Sequence, residues 1–183
     1  MIYSFSLQAV SLVLGIIYIL THGFGLFQPA AMRKMLKDFP RNARIGQGLL
    51  ILAAGWFGWI LATSDLMDYT KFRTLFLIGL AISTFLILKY LQELLSARAM
   101  GSLLILAAGV LLDSAFMQPH SARLVLVVLA YIYIIIGMIW VASPYLMRDM
   151  ISFLIQDDFR YKIAAGAGCL FGFTLVLLAF VCF

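Results

Sequence analysis

Three polar residues lie within or beside apolar segments of this chain, where an ionisable side chain is costly and is therefore a candidate for function. Asp113 carries a carboxylate that can bind a cation or a proton, or pair with Arg123 across a short loop. His22 carries an imidazole, a side chain suited to proton transfer or metal binding near neutral pH. We take Asp113 and Arg123 as candidate functional polar residues and His22 as the candidate cofactor residue.

The common catalytic motifs do not accompany these residues. The sequence has no His-Glu-x-x-His metalloprotease motif, no Gly-x-Ser-x-Gly nucleophile elbow and no glycine-rich phosphate loop. The adjacent Asp157 and Asp158 stand beside Arg160 without the spacing of metal ligands. We therefore predict that the protein is not an enzyme.

The composition predicts an integral membrane protein. Hydrophobic residues make up 64% of the 183 residues and charged residues 11%, against about 45–50% and about 25% in ordinary soluble domains. A helix needs about 20 apolar residues to cross the bilayer core, and six continuously apolar segments approach or exceed this length. The predicted spans are 3–28, 45–63, 72–95, 99–117, 122–143 and 162–183. Without two-residue alternation, these segments favour helices over barrel strands.

The basic residues predict the orientation. Most of the 13 Lys and Arg residues fall in the connections after the first, third and fifth spans. We therefore predict that these connections are cytoplasmic and that both termini lie outside. Six basic residues are predicted to face anionic lipid headgroups, so the lipid bilayer is an expected partner and nucleic acid is not. They are Arg33, Lys34, Lys37, Arg41, Arg44 and Arg148.

A cofactor at His22 lacks further ligands in the sequence. The second histidine, His120, follows Pro119 in a predicted outer loop, so the two cannot hold the same haem or metal. One imidazole without a nearby Cys, Asp or Glu does not make a metal site. We therefore predict no cofactor and no metal, and favour a helix-capping or interhelical hydrogen-bonding role for His22.

The chain also repeats itself, which limits its fold. The heptapeptide Leu-Leu-Ile-Leu-Ala-Ala-Gly occurs at 49–55 and, 54 positions later, at 103–109. A Pro-x-x-Met-Arg-x-Met pattern occurs twice, beginning at Pro29 and at Pro144. We predict one all-α membrane domain, 1–183, of three similarly oriented helical hairpins, arranged either as a ring or as an open row. The repeat units are about 1–65, 66–118 and 119–183.

The cytoplasmic connections of the first and third units are predicted to be short amphipathic helices. Between Pro29 and Pro40, and again after Pro144, apolar residues recur at helical spacing opposite polar ones. The second unit has no proline here, and its pattern favours a continuation of the third span through Leu95.

The even-numbered spans contain small residues that favour close helix packing. These include Ala164, Gly168 and Gly172, and Ala54 with Gly58.

From His22 to Ile60 the sequence has a glycine near the end of the first span, a proline, a basic amphipathic turn, and an arginine followed by glycine at the opening of the second span. In this pattern the chain resembles the small two-helix inner-membrane proteins of the YjeT type. The matching positions are Pro29, Arg33, Lys34, Met35, Pro40, Arg44, Gly46 and Gly48. The resemblance covers the first repeat well, the third moderately and the second weakly. It implies a fused trimer of that unit in a bacterial inner membrane.

A second likeness, through His22-Gly23, is to DoxX-type respiratory accessory proteins, which usually have four spans. The YjeT-type resemblance implies an accessory role beside larger membrane assemblies, so other membrane proteins are expected partners. We therefore predict a non-catalytic accessory or scaffold subunit. Two alternatives stay open. A small transporter or channel would use Asp113 in a polar path, and a redox-complex subunit would hold haem or quinone near His22.

Overall fold

A computed structural model describes residue 3 and residues 5–182 of the chain. In this part of the protein the fold is all-helical. The helices are α1 (Leu7–Phe27), α2 (Pro29–Asp38), α3 (Ala43–Thr63), α4 (Arg73–Tyr90), α5 (Leu95–Ala115), α6 (Arg123–Ala142), α7 (Pro144–Gln156) and α8 (Asp158–Val181). Short 3₁₀ segments, Phe39–Arg41 and Met67–Phe72, precede α3 and α4.

Six helices of the described chain are long and apolar enough to cross a membrane, which makes this a multi-pass membrane protein. They are α1, α3, α4 with its preceding 3₁₀ segment, α5, α6 and α8. The six predicted spans are therefore confirmed, with ends that differ by a few residues. Ser4 and Phe183, which fall inside the predicted first and last spans, lie outside the described residues.

The two predicted connecting helices are also present, as α2 and α7. Each has a proline in its first turn, where the missing backbone N–H does no harm. Their apolar faces are partly covered by protein. Met147 and Ile151 of α7 are buried against Ala97 of α5, with Leu36 of α2 packed beside them.

The prediction that the third span continues through Leu95 is wrong. α4 ends at Tyr90, and α5 begins at Leu95. Leu94, between them, has a φ of 50°, in the left-handed region that interrupts a right-handed helix. Contacts from elsewhere in the chain hold this turn: the Ser96 hydroxyl donates to the carbonyl oxygen of Asn42 at 2.6 Å. Tertiary contacts thus override a local pattern that favours helix.

The closest helix pairs are α1 with α8 and α5 with α6, while α3 lies between α5 and α4. The two helices of each predicted hairpin are not extensively packed pairs in the described residues. α1 and α8 approach at Gly15 and Gly172, where an added methyl group on either glycine would overlap backbone of the other helix. Ser11 completes this contact, because its hydroxyl donates to the carbonyl oxygen of Leu175 at 2.9 Å.

A buried apolar cluster joins four of the helices. Its larger members are Leu7 of α1, Leu111 of α5, Leu126 of α6 and Leu175 of α8. α4 stands apart from this core: it packs mainly against α3, and none of its residues is buried. The fold therefore consists of a four-helix core that α3 and α4 extend on one side.

The α1–α8 contact predicts unequal effects of two glycine substitutions on one helix. In Gly172→Ala the new methyl carbon would lie 2.8 Å from the carbonyl oxygen of Gly15 and 2.9 Å from the Ile19 nitrogen. We expect a loss of about 1–3 kcal/mol in the free energy of unfolding. Gly166 has no atom within 4 Å of such a methyl, so Gly166→Ala is the matched control and should leave stability unchanged or raise it. Thermal unfolding in mild detergent measures both, and equal stability of the two variants would contradict the packing.

Candidate functional site

Asp113 holds Tyr3, which precedes α1, at one end of the bundle, called here the Asp113 end. Its Oδ2 atom accepts a hydrogen bond from the Tyr3 backbone N–H at 2.7 Å. The Tyr3 hydroxyl in turn accepts one from Trp56 Nε1 at 2.6 Å. Arg123, the predicted partner, donates instead to the carbonyl oxygen of Ala115 at 3.4 Å. Asp113 therefore links Tyr3 to α5, and the hydroxyl of Tyr3 adds a hydrogen bond to α3.

His22 lies in the seam between α1 and α8. Its Nδ1 atom is 3.0 Å from the carbonyl oxygen of Tyr18, one turn earlier in α1, and the two side-chain rings are stacked with centroids 5.3 Å apart. A methyl group on Gly168 of α8 would overlap the imidazole. The hydroxyl oxygens of Tyr18 and Tyr133 are 2.9 Å apart, so the cluster reaches α6.

The predicted roles of His22 are helix capping or interhelical hydrogen bonding, and its contacts support packing between helices instead. Its backbone hydrogen-bond partner lies in its own helix, and its contact with α8 is steric. Across the described residues, no three His, Cys, Asp or Glu side chains form a group suited to a metal ion.

The end of the bundle opposite Asp113 carries α2, α7 and the first turns of α3, α5 and α8, and is called here the basic end. Five of the six basic residues predicted to face lipid are exposed there: Lys34, Lys37, Arg41, Arg44 and Arg148. Arg33 is oriented differently. It forms an ion pair with Asp158, and its guanidinium carbon lies 4.5 Å from the centroid of the Tyr161 ring. Arg33 thus attaches α2 to α8.

A groove runs along one face of α5, with α3 beside it and α4 bordering the part nearer the basic end. Both copies of the repeated heptapeptide line it. The part nearer the basic end is a cavity of about 320 Å³. Leu50, Ala53 and Ala54 border it from the first copy, and Ile105 and Leu106 border it from the second. α4 borders it with residues that include Ser83 and Thr84, and Val141 of α6 also lines it. Both hydroxyls of α4 donate to the carbonyl oxygen of Leu80 in the same helix, which leaves the cavity essentially apolar.

A second cavity, of about 470 Å³, continues the groove toward the Asp113 end. It shares Ile105 and Leu106 with the first cavity and adds Gly109 and Asp113. A methyl group on Gly109 would meet no atom within 4 Å, so this glycine faces open space. From Ser102 to Asp113 the lining positions of α5 recur every three or four residues, as expected for one face of a helix.

Helical spacing places Arg98 on the same face of α5 as Ser102, one turn nearer the basic end and just beyond the residues that line the first cavity. The Ser102 hydroxyl donates to the Arg98 carbonyl oxygen at 3.1 Å. The Nε atom of Arg98 is buried and has no hydrogen-bond partner among the described residues, and the ion pairs found there involve other residues. Arg98 and Asp113 are separated by about 22 Å along the helix axis. The groove is thus largely apolar, with the Asp113 carboxylate lining one end and Arg98 one helical turn beyond the other.

Comparison of the chain with protein-family models, curated proteins and solved structures finds no match. What the protein does must be inferred from its own residues.

The sequence alone singles out Asp113 and His22, but not the groove. A signal for the groove was present in the spacing of Arg98, Ser102 and Gly109 along one helical face, yet only the fold shows that this face meets the first copy of the heptapeptide.

The Tyr3–Asp113 contact predicts different effects for two substitutions at position 113. Asp113→Ala leaves the Tyr3 N–H without its acceptor, so we expect a loss of about 1–3 kcal/mol in the free energy of unfolding. Asp113→Asn keeps a carbonyl oxygen at the same place and should lose less. Thermal unfolding measures both. A second measurement uses a chain whose two native cysteines are replaced by serine and whose Phe5 is replaced by cysteine. This cysteine should react faster with a maleimide when Asp113→Ala is also present than when Asp113 is retained. An alanine variant with unchanged stability and unchanged labelling would refute this role.

Proposed function

We propose that this chain is a non-catalytic accessory or scaffold subunit of a larger membrane assembly, and that α4 is the helix on which the partner docks. The position of α4 supports this proposal. It is the spanning helix without a single buried residue and is attached mainly through α3. A helix held by one neighbour has more surface open to a second protein than the core helices have.

The surface of α4 that points away from the groove is a continuous apolar stripe. Leu80, Thr84 and Ile87 face the groove, while exposed large side chains recur on the other faces of the helix. They are Leu75, Phe76, Ile78, Ile82, Phe85 and Leu86. Four of them, at 75, 78, 82 and 85, repeat every three or four residues and form one ridge along the helix. Such a ridge fits the grooves between side chains of a partner helix.

The resemblance to YjeT-type proteins supports the same role, because an accessory function beside larger complexes is what that resemblance implies. We extend the proposal to location: a bacterial inner membrane, with the basic end in the cytoplasm and both termini outside. The asymmetry of the basic residues between the two ends supports this orientation. Exposed Lys and Arg at the basic end would also attract anionic headgroups there.

Docking on α4 predicts that a bulky residue on its ridge reduces association with the partner. Wild-type protein extracted in mild detergent should co-purify with another membrane chain at a fixed ratio. Ile82 is 55% exposed, and Ile82→Trp should lower the amount of that chain by about tenfold, equivalent to about 1.4 kcal/mol. The matched control is Leu177→Trp on α8, where Leu177 is 63% exposed.

Either of two results would count against this docking surface. One is a wild-type protein that purifies alone as a monodisperse species. The other is an equal loss of the partner in Ile82→Trp and Leu177→Trp, which would indicate a general effect of added bulk rather than an interface on α4.

The proposed orientation predicts which end of the bundle reacts from outside the cell. Met117, at the Asp113 end, is 80% exposed, and Arg41 is exposed at the basic end. In a chain whose native cysteines are replaced by serine, a membrane-impermeant maleimide should label Met117→Cys in intact cells. It should label Arg41→Cys only after the membrane is permeabilised. The reverse pattern would show the opposite orientation.

A further inference from the structure

We infer that the groove between α3, α4 and α5 binds one acyl chain of an anionic phospholipid, whose phosphate group contacts Arg98. This goes beyond the proposed accessory function and does not depend on it, because the groove is formed within one chain. Three properties of the site support the inference. Arg98 has no counter-charge, the lining is apolar, and the groove is longer than half the thickness of a bilayer's hydrocarbon core.

Arg98 is the residue whose charge has no partner. Arg33 and Arg73 each also have a buried Nε atom without a partner, but one terminal nitrogen of each guanidinium is engaged. Arg33 pairs with Asp158, and Arg73 donates to the carbonyl oxygen of Ser64 at 2.7 Å. Arg98 has neither kind of partner among the described residues. A partly buried guanidinium without a counter-charge is unfavourable, and a phosphate group has the geometry to accept several of its N–H groups.

The lining suits a hydrocarbon chain. From Ser102 toward Gly109 the groove is bordered mainly by apolar side chains, and the hydroxyls that line it are satisfied within their own helices. Ala53, Ala54 and Gly109 leave the space that larger residues would fill. The stretch of about 22 Å from Arg98 to Asp113 exceeds half of a hydrocarbon core of about 30 Å. An acyl chain from the leaflet at the basic end therefore fits along it.

Arg98 also sets the polarity of the bound lipid. Its guanidinium attracts a phosphate at the basic end, so the headgroup lies at that end and the acyl chain extends toward the Asp113 end. Arg98 further selects an anionic headgroup over a zwitterionic one, since the cationic part of a zwitterionic headgroup lowers its net attraction to a guanidinium.

The experiment measures which phospholipid the full-length protein retains. The protein is reconstituted into vesicles of equal phosphatidylglycerol and phosphatidylcholine, extracted again in mild detergent, and its bound lipids are quantified by mass spectrometry. Wild-type protein should retain phosphatidylglycerol in preference to phosphatidylcholine. Arg98→Gln should lower that preference by about fivefold, the factor that corresponds to one basic contact with an anionic surface, and Arg98→Lys should keep part of it.

The matched control is Arg44→Gln, which removes the same charge from an exposed position at the same end of the bundle. Because exposed basic residues also attract anionic headgroups from outside the groove, it should lower the preference by less than Arg98→Gln does. A further variant, Gly109→Leu, places a side chain in the open part of the groove and should reduce retained phosphatidylglycerol even though Arg98 is present. These two variants separate binding in the groove from general attraction to the basic end.

A measurement on the unmodified chain tests the site without relying on the folding of any variant. Phosphatidylglycerol that carries a photoactivatable group in its acyl chain should label peptides from 50–60 and 102–109. The inference is overturned if wild-type protein retains the two lipids at the vesicle ratio, if Arg44→Gln and Arg98→Gln lose the preference equally, or if labelling falls outside the groove.

Discussion

Close approach of helix backbones at glycine is the constraint on which this structure depends. Within a bilayer, apolar helices gain little by exchanging lipid for each other, so association relies on tight packing and on interhelical hydrogen bonds. α1 and α8 meet at Gly15 and Gly172, and α5 and α6 meet at Gly101 and Gly137. The two pairs enclose the apolar cluster. Once they are fixed, the surrounding polar side chains have defined partners.

The position of α4 follows from the same constraint. At its contact with α3, a methyl group on Gly58 would only reach the end of the Leu80 side chain, at 3.4 Å, and Gly79 of α4 meets nothing within 4 Å. No backbone is brought against backbone at either glycine. α4 is therefore held by side-chain contacts with one neighbour, which leaves space beside α5. The groove exists because this helix lacks the close approach that joins the other pairs.

The sequence predicts the elements of this fold better than it predicts their contacts. Continuous hydrophobicity locates the six spans, and helical spacing after Pro29 and Pro144 locates α2 and α7, because both signals are local. The turn at Leu94 has no such signal: it is held by Ser96 and Asn42, which are far apart in the chain. The partners of Asp113 and Arg33 are equally distant, since Tyr3 and Asp158 are each more than a hundred residues away. Composition alone could not place them.

The fold shows a structural role of the repeated heptapeptide that the sequence alone does not indicate. α3 and α5 lie side by side, and the start of α3 is fixed to the start of α5 where Gly46 meets the Ser96 backbone. The two copies consequently face a common space, and their small residues leave that space unfilled by protein. An empty apolar gap would forfeit dispersion contacts on every side, which favours hydrocarbon in this space within a bilayer. In the proposed site the choice of lipid depends on Arg98 and not on the repeated residues themselves.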